Sequence, residues 1–257
     1  MNESAIGKNI RGEYSRGGRF GVGTPQANST VEDEFSILMP RDVSFHAVRL
    51  TSAAGKPEDR LCEYMERLGE YLLRYDVMPL DGFAFACTAS SYLLGADAEQ
   101  SILTAIDSNF PIYTATGAIN WALHRINAKR ILIVAPYPEF IREAASRYWR
   151  SAGYDVVDIK HIQTETIDTR SIYDLGSLNV KAALEAVSFD GIDAVVVSGT
   201  GMPSLPVIAC DWAVPILSSN LCLAAQLLAS VNSSAISDAG SLAINGWQKR
   251  LAEVMDN

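Results

Sequence analysis

The stretch DGFAFACT, residues 81–88, returns as DAVVVSGT at residues 193–200. In both copies an aspartate opens a run of small and apolar residues, and a polar turn closes it. A short apolar run bounded by turn residues reads as a strand buried on both faces, as in a parallel sheet. Two further pairs flank it in the same order. RFGVGTP at Arg19–Pro25 aligns with RILIVAP at Arg130–Pro136, and FPIYTATG around Pro111 aligns with VPILSSNL around Pro215. The offsets of the three pairs are 112, 111 and 104 residues. Three matches in one order at nearly constant spacing indicate an internal duplication.

Between the paired runs the pattern is amphipathic. Arg19–Thr24, Val43–Leu50, Gly82–Ala86, Pro111–Tyr113, Arg130–Ala135, Asp155–Ile159, Ala194–Val197 and Val214–Leu217 are predicted strands. Helices are predicted from Ser29–Thr30 onward, where hydroxyl caps precede Glu32, Asp33 and Glu34, and over Pro57–Tyr75, Glu139–Ala152 (closed by Gly153) and Leu178–Val187. Such alternation predicts an α/β fold of two pseudo-symmetric lobes, each a parallel sheet flanked by helices. Parallel sheets bind ligands beyond the C-terminal ends of their strands, so the active site is expected in the cleft between the lobes. The boundaries expected are a flexible arm over 1–18, a first lobe over 19–115 completed by 218–257, and a second lobe over 116–217.

The chain has 257 residues, 48% hydrophobic and 20% charged, with a formal charge of -9. That balance disfavours a nucleic-acid partner. No apolar run is long enough to span a membrane, and the polar, Gly-rich start lacks a signal-peptide core, so a cytoplasmic location is expected. Cys62, Cys87, Cys210 and Cys222 are scattered, which argues against disulfides. The other three are read as small buried hydrophobes. His46, His124 and His161 stand apart from each other and from the cysteines, so no metal site is expected.

Five loops follow the duplicated strands. TPQANST at 24–30 offers N–H groups and the Asn28 amide. ACTASS at 86–91 sets Cys87 at the start of a Ser-rich helix, where N–H groups are expected to lower its pKa toward neutrality. Pro136-Tyr137-Pro138 restricts the backbone around a phenol. SGTGMPS at 198–204 brings small residues and close backbone approach, and Ser218-Ser219-Asn220 is again polar. In the duplication Cys87 corresponds to Gly199, so a symmetric cleft carries a thiol on one side only.

These residues resemble the aspartate/glutamate racemase superfamily, in the branch of maleate cis-trans isomerases and arylmalonate decarboxylases. PQANSTVEDE at Pro25–Glu34 is similar to the isomerases' P-S-x-N-x-x-x-E motif, and Ala86–Ser91 to their first cysteine loop. Tyr137 matches the tyrosine after the second lobe's first strand. Ser198–Thr200 occupies the place of S-C-T, and Pro215–Asn220 resembles P-V-x-S-S-N. The resemblance implies a cofactor-independent enzyme acting on a small carboxylate and compatible with homo-oligomer formation. It implies catalytic roles for Cys87 and Tyr137, and substrate contacts at Asn28, Thr88, Ala89, Gly199, Thr200 and Gly201. Glycine in place of the second cysteine disfavours two-base racemisation. It ranks decarboxylation of a substituted malonate first, with Cys87 protonating an enediolate. Cis-trans isomerisation with Cys87 as covalent nucleophile is the alternative, and a non-catalytic carboxylate-binding protein the third reading. Arg170 is read as a surface residue rather than a carboxylate ligand, and Cys210 as lying outside the cleft.

Overall fold

The computed structural model describes residues 12–231 and 244–256. Among these residues eight strands form two separate four-stranded sheets, parallel throughout. The first has the order β2-β1-β3-β4, from β1 (Gly18–Pro25), β2 (Val43–Leu50), β3 (Gly82–Phe85) and β4 (Ile112–Thr114). The second has the order β6-β5-β7-β8, from β5 (Arg130–Ala135), β6 (Asp155–His161), β7 (Ala194–Val197) and β8 (Ile216–Ser218).

The duplication holds at the level of register. Phe20 lies opposite Gly82 in the first sheet, and its counterparts Ile131 and Ala194 pair in the second. Phe83 lies opposite Ile112, and Val195 opposite Ile216. Individual hydrogen bonds repeat as well. The Ala86 N–H donates to Gly23 O and the Ser198 N–H to Val134 O, both at 2.8 Å. The Asp81 carboxylate accepts from the Arg19 N–H at 2.8 Å, and Asp193 accepts from the Arg130 N–H at the same distance. The aspartate that opens each repeat therefore ties down the start of the neighbouring strand.

Side-chain volumes are exchanged between the copies. In β1 a Cβ at Gly21 would meet Phe83 Cδ2 at 2.8 Å, and one at Gly23 would meet Phe83 Cζ at 2.8 Å. The second sheet has Leu132 and Val134 at those places and the smaller Val195 opposite them. Both cores reach dense packing from different residues, each fully buried large side chain contributing roughly 1.5–3 kcal/mol.

Helices cover the sheets: α1 (Thr30–Leu38), α2 (Pro57–Glu66), α3 (Leu68–Leu72), α4 (Thr88–Leu94), α5 (Ala96–Ala105), α6 (Ala115–Arg125), α7 (Glu139–Ser151), α8 (Ser177–Glu185), α9 (Leu205–Ile208), α10 (Ser219–Val231) and α11 (Trp247–Met255). The equivalent helices α6 and α10 pack against each other, and α10, although it follows the second sheet's last strand, also packs on β1, β3 and β4. No helix among the described residues is long and apolar enough to cross a membrane.

Three expectations need correction. The single helix over Pro57–Tyr75 is broken at Arg67 (φ -93°, ψ 13°) into α2, α3 and a 3-10 turn at Leu73–Tyr75. Ser29 makes no side-chain cap on α1, and the Thr30 hydroxyl instead donates to Gly201 O at 3.1 Å. Cys210 is exposed and Cys62 half-buried, so only Cys222 behaves as the buried hydrophobe expected of all three. Gly153, at φ +89°, does follow the end of α7, where its N–H donates to Arg150 O. Of the expected arm, residues 12–17 turn back onto β2, with Ser15 Oγ 2.7 Å from Ser44 Oγ and the Gly17 N–H on Asp42 O. Gly18 opens β1, and residues 1–11 of that arm, like residues 232–243 and 257 of the expected C-terminal completion of the first lobe, lie outside the described residues.

Candidate active site

Every loop singled out above leaves the C-terminal end of a strand, and the two sheets turn those ends toward shared contacts. Cys87 stands between β3 and α4 in an extended conformation (φ -148°, ψ 100°). Its Sγ accepts from Ser90 Oγ at 3.2 Å. Burial pushes the Cys87 thiol up from its usual value, against the Ser90 hydroxyl, the N–H groups of Ser90 and Ala89, and the nearby Arg60 guanidinium. The expected depression of its pKa is thus corrected: four stabilisers of the thiolate are present, and desolvation at 4% exposure outweighs them. Cys87 rests as a protonated thiol.

Thr88, the next residue, meets Tyr137 from the second half of the chain. Their hydroxyls are 2.5 Å apart. Burial first, and the neighbouring Cys87 second, hold the Tyr137 phenol well above its ordinary value, so it keeps its proton. Of the two hydroxyl protons in this pair, one bridges the two oxygens and the other is free for a ligand. The Tyr137 ring stands edge-on to Tyr92, whose hydroxyl is 2.8 Å from Ser198 Oγ and accepts from Trp149 Nε1 at 3.0 Å.

Thr200 closes the opposite side. Its hydroxyl donates to Ala86 O at 2.9 Å and accepts from Asn28 Nδ2 at 3.1 Å. That hydroxyl proton is committed to the first sheet's cysteine loop, so Thr200 is not the free donor that its position suggested. The same two bonds fix the Asn28 amide, leaving its buried Oδ1 without a partner among the described residues. Gly201 lies against Tyr173, where a Cβ would come within 2.6 Å of Cε1.

Gly199 differs from its counterpart Cys87 in backbone as well as side chain. Its φ is +140°, and an added Cβ would meet Met202 Cε at 3.3 Å and Pro136 Cδ at 3.4 Å. The place of a second thiol is therefore closely bordered by Met202 and Pro136 and set in a conformation that favours glycine. Its N–H donates to Ser219 Oγ at 3.1 Å.

Sequence reasoning missed Glu34. This α1 carboxylate is buried and accepts from the Ser204 N–H (2.5 Å), Ser204 Oγ (2.9 Å), the Leu205 N–H (3.1 Å) and Asn220 Nδ2 (2.8 Å). Asn220 Nδ2 also donates to Thr200 O at 3.0 Å. Burial raises the Glu34 pKa against these donors. Glu34 thus clasps the two halves beneath the Asn28–Thr200 contact. Arg60, Tyr64 and Tyr173 were missed as well, and all three interact electrostatically with Cys87. Arg170 is exposed and held by Asp168. Cys210 donates to Pro206 O at 3.5 Å on the outer side of α9. Among the described residues no three His, Cys, Asp or Glu side chains gather as a metal site.

The chain is similar to several proteins of known activity. The family model for arylmalonate decarboxylase matches residues 20–242. A maleate isomerase of Pseudomonas putida is 27% identical over 206 residues, covering 74% of this chain and 81% of that protein. Among solved structures, a Pseudomonas putida maleate isomerase with maleate superposes at a TM-score of 0.78, with 21% identity over 88% of this chain and 98% of that one. A Nocardia farcinica maleate cis-trans isomerase, a cysteine-to-serine mutant carrying a covalently bound succinylcysteine intermediate, gives 0.72, with 23% identity over 82% and 91%.

Proposed function

The chain belongs to the arylmalonate decarboxylase family, and from that premise we propose that it is a cis-trans isomerase of a maleate-like dicarboxylate, with Cys87 as the group that bonds to substrate. The observation that carries this reading is the buried thiol of Cys87 beside the Thr88–Tyr137 hydroxyl pair. A resting thiol is stoichiometrically what adduct formation needs. Sulfur bonds to one alkene carbon, and the π electron pair takes a proton equivalent to the thiol's at the other. Rotation about the resulting single bond follows. Loss of that proton and cleavage of the C–S bond then give the trans alkene and restore the thiol. The free proton of the Thr88–Tyr137 pair and the second Asn28 Nδ2 proton would hold a substrate carboxylate while charge builds on it.

Decarboxylation ranked first on the sequence alone. The order is reversed here because the relatives of this chain include maleate isomerases, one of which forms a succinylcysteine with one of its cysteines replaced. Gly199 favours decarboxylation as the second reading. With no thiol on that side, loss of carbon dioxide would leave an enediolate that Cys87 protonates from one face.

The two are separated by incubating the protein with maleate and, in parallel, with a substituted malonate in deuterated water. The isomerase reading expects the trans dicarboxylate from maleate, and a protein–substrate adduct in intact mass spectra that the Cys87→Ala variant lacks. Monocarboxylate carrying one deuterium, formed only from the malonate, would replace it with the decarboxylase reading.

A further inference from the structure

A cavity of about 300 Å³ opens beside the Cys87 site, lined by the loop after β1, by α2 and by the 3-10 turn at Thr169–Asp174. Its charged lining consists of two arginines, Arg60 and Arg170, with no carboxylate among the lining residues. Asp168 stands behind them. Its Oδ1 accepts from Arg60 Nη2 at 2.7 Å, and its Oδ2 from Arg170 Nε at 3.0 Å and Nη2 at 2.6 Å. Arg170 holds the Asp168 carboxyl at about 2, so it stays ionised. Two guanidiniums on one carboxylate leave one net positive charge at the cavity wall of a protein with a formal charge of -9.

Arg60 is the unusual member. It is 5% exposed, yet its side-chain hydrogen bonds, to Asp168 and to Thr169 Oγ1 at 3.3 Å, use Nη2 alone. Nε and Nη1 are uncommitted among the described residues. A guanidinium whose remaining donors make no protein hydrogen bond can offer them to a carboxylate that enters the cavity. Tyr64 and Tyr173 line the same cavity, and both phenols stay protonated, Tyr64 being pushed up to about 12 by burial. Arg60 and both phenols interact with Cys87, so the cavity and the thiol share one electrostatic environment.

We propose that this cavity is the subsite for a second, non-reacting carboxylate of the substrate, with Arg60 as its principal ligand and Tyr64 and Tyr173 as neutral donors around it. The inference rests on the carboxylate reading of the Cys87 site and adds a selectivity to it: dicarboxylates over monocarboxylates of the same shape. The space also exceeds a carboxylate, since one water in the liquid takes about 30 Å³, so a substituent next to that carboxylate is accommodated.

The test is calorimetric titration in the Cys87→Ala background, where no turnover consumes the ligand. Maleate is compared with isocrotonate, its monocarboxylate counterpart, for Arg60 and for the Arg60→Lys and Arg60→Gln variants. Tyr64→Phe provides a readout that leaves the buried charge intact, and thermal melts identify any variant that does not fold. Arg60 is expected to give at least tenfold preference for maleate, falling as salt rises. Arg60→Gln should erase that preference while isocrotonate affinity stays, Arg60→Lys should retain part of it, and Tyr64→Phe should lose about threefold. Equal preference in every folded variant would overturn the subsite and leave the functional reading standing. Binding of neither ligand with Arg60 present would overturn the carboxylate reading and the subsite with it.

Discussion

Thr88 and Tyr137, brought from opposite halves of a duplicated chain, set their hydroxyls 2.5 Å apart beside the thiol of Cys87. Among the described residues neither oxygen has a carboxylate or imidazole to take its proton, so the pair is a donor to ligand rather than a base. Tyr137→Phe removes one of the two hydroxyls and leaves the ring packed against Tyr92. Turnover is expected to fall roughly 10²–10³-fold, the usual cost of one donor to a developing negative charge, with little change in thermal stability. Steady-state kinetics together with a melt decide it; wild-type turnover in the variant would remove the pair from the chemistry.

Burial keeps the Cys87 proton on sulfur. Alkylation by iodoacetamide, which requires the thiolate, should therefore be slow at neutral pH and accelerate only above the ordinary thiol value of 9.0. The same direction sets the activity profile: a reaction that starts from the thiol is sustained across neutral pH and declines on the alkaline side. Rapid alkylation at pH 7, measured by mass spectrometry with Cys87→Ala as the blank, would contradict the protonated resting state.

Glu34 accepts from four donors while burial raises its pKa. A carboxyl whose folded pKa exceeds the unfolded value of 4.5 gives its full stability below that value and loses it as pH rises through the folded one. Denaturant melts should thus show stability declining above pH 4.5 through this group, a component that Glu34→Gln lacks. Glu34→Gln turns an N–H pair toward existing donors and should cost about 1–3 kcal/mol near pH 7, and Glu34→Ala at least as much. A variant as stable as the parent would show that the clasp is dispensable.

Gly199→Cys would supply a second thiol, but at a position where φ is +140° and Met202 and Pro136 crowd the Cβ. The substitution should cost about 1–3 kcal/mol in backbone strain alone, read as a lowered unfolding midpoint. Gly199→Ala should show the same loss, since the strain comes from Cβ rather than sulfur. Parent-like midpoints in both would mean that the loop relaxes freely.

The two sheets were legible because a buried parallel strand leaves an apolar signature, and here each signature occurs twice. Cys87, Thr88, Tyr137, Asn28 and Thr200 were legible because strand-to-helix loops place them beyond strand ends. The chemistry of two of them was not. Local sequence shows the N–H groups around Cys87 but not its depth, and shows the Thr200 hydroxyl but not Ala86 O waiting for it. Glu34 carried an overlooked signal. Val31, Phe35 and Leu38 mark the inner face of α1, and a residue three after Val31 shares that face. Arg60 and Tyr173 had none, because α2 and the turn after Asp168 meet only through the tertiary fold.

The return of α10 to the first sheet bears on how the chain is made. Its buried side chains, Leu223, Leu227 and Leu228 among them, belong to the helix that packs on β1, β3 and β4. The strands of the first sheet leave the ribosome early, yet part of their apolar cover is encoded more than a hundred residues after β4. An N-terminal half emerging alone would present that uncovered face to water and to other chains. Completion of its core therefore waits for α10, and until that helix is made the exposed apolar face of the first half is prone to association with other chains.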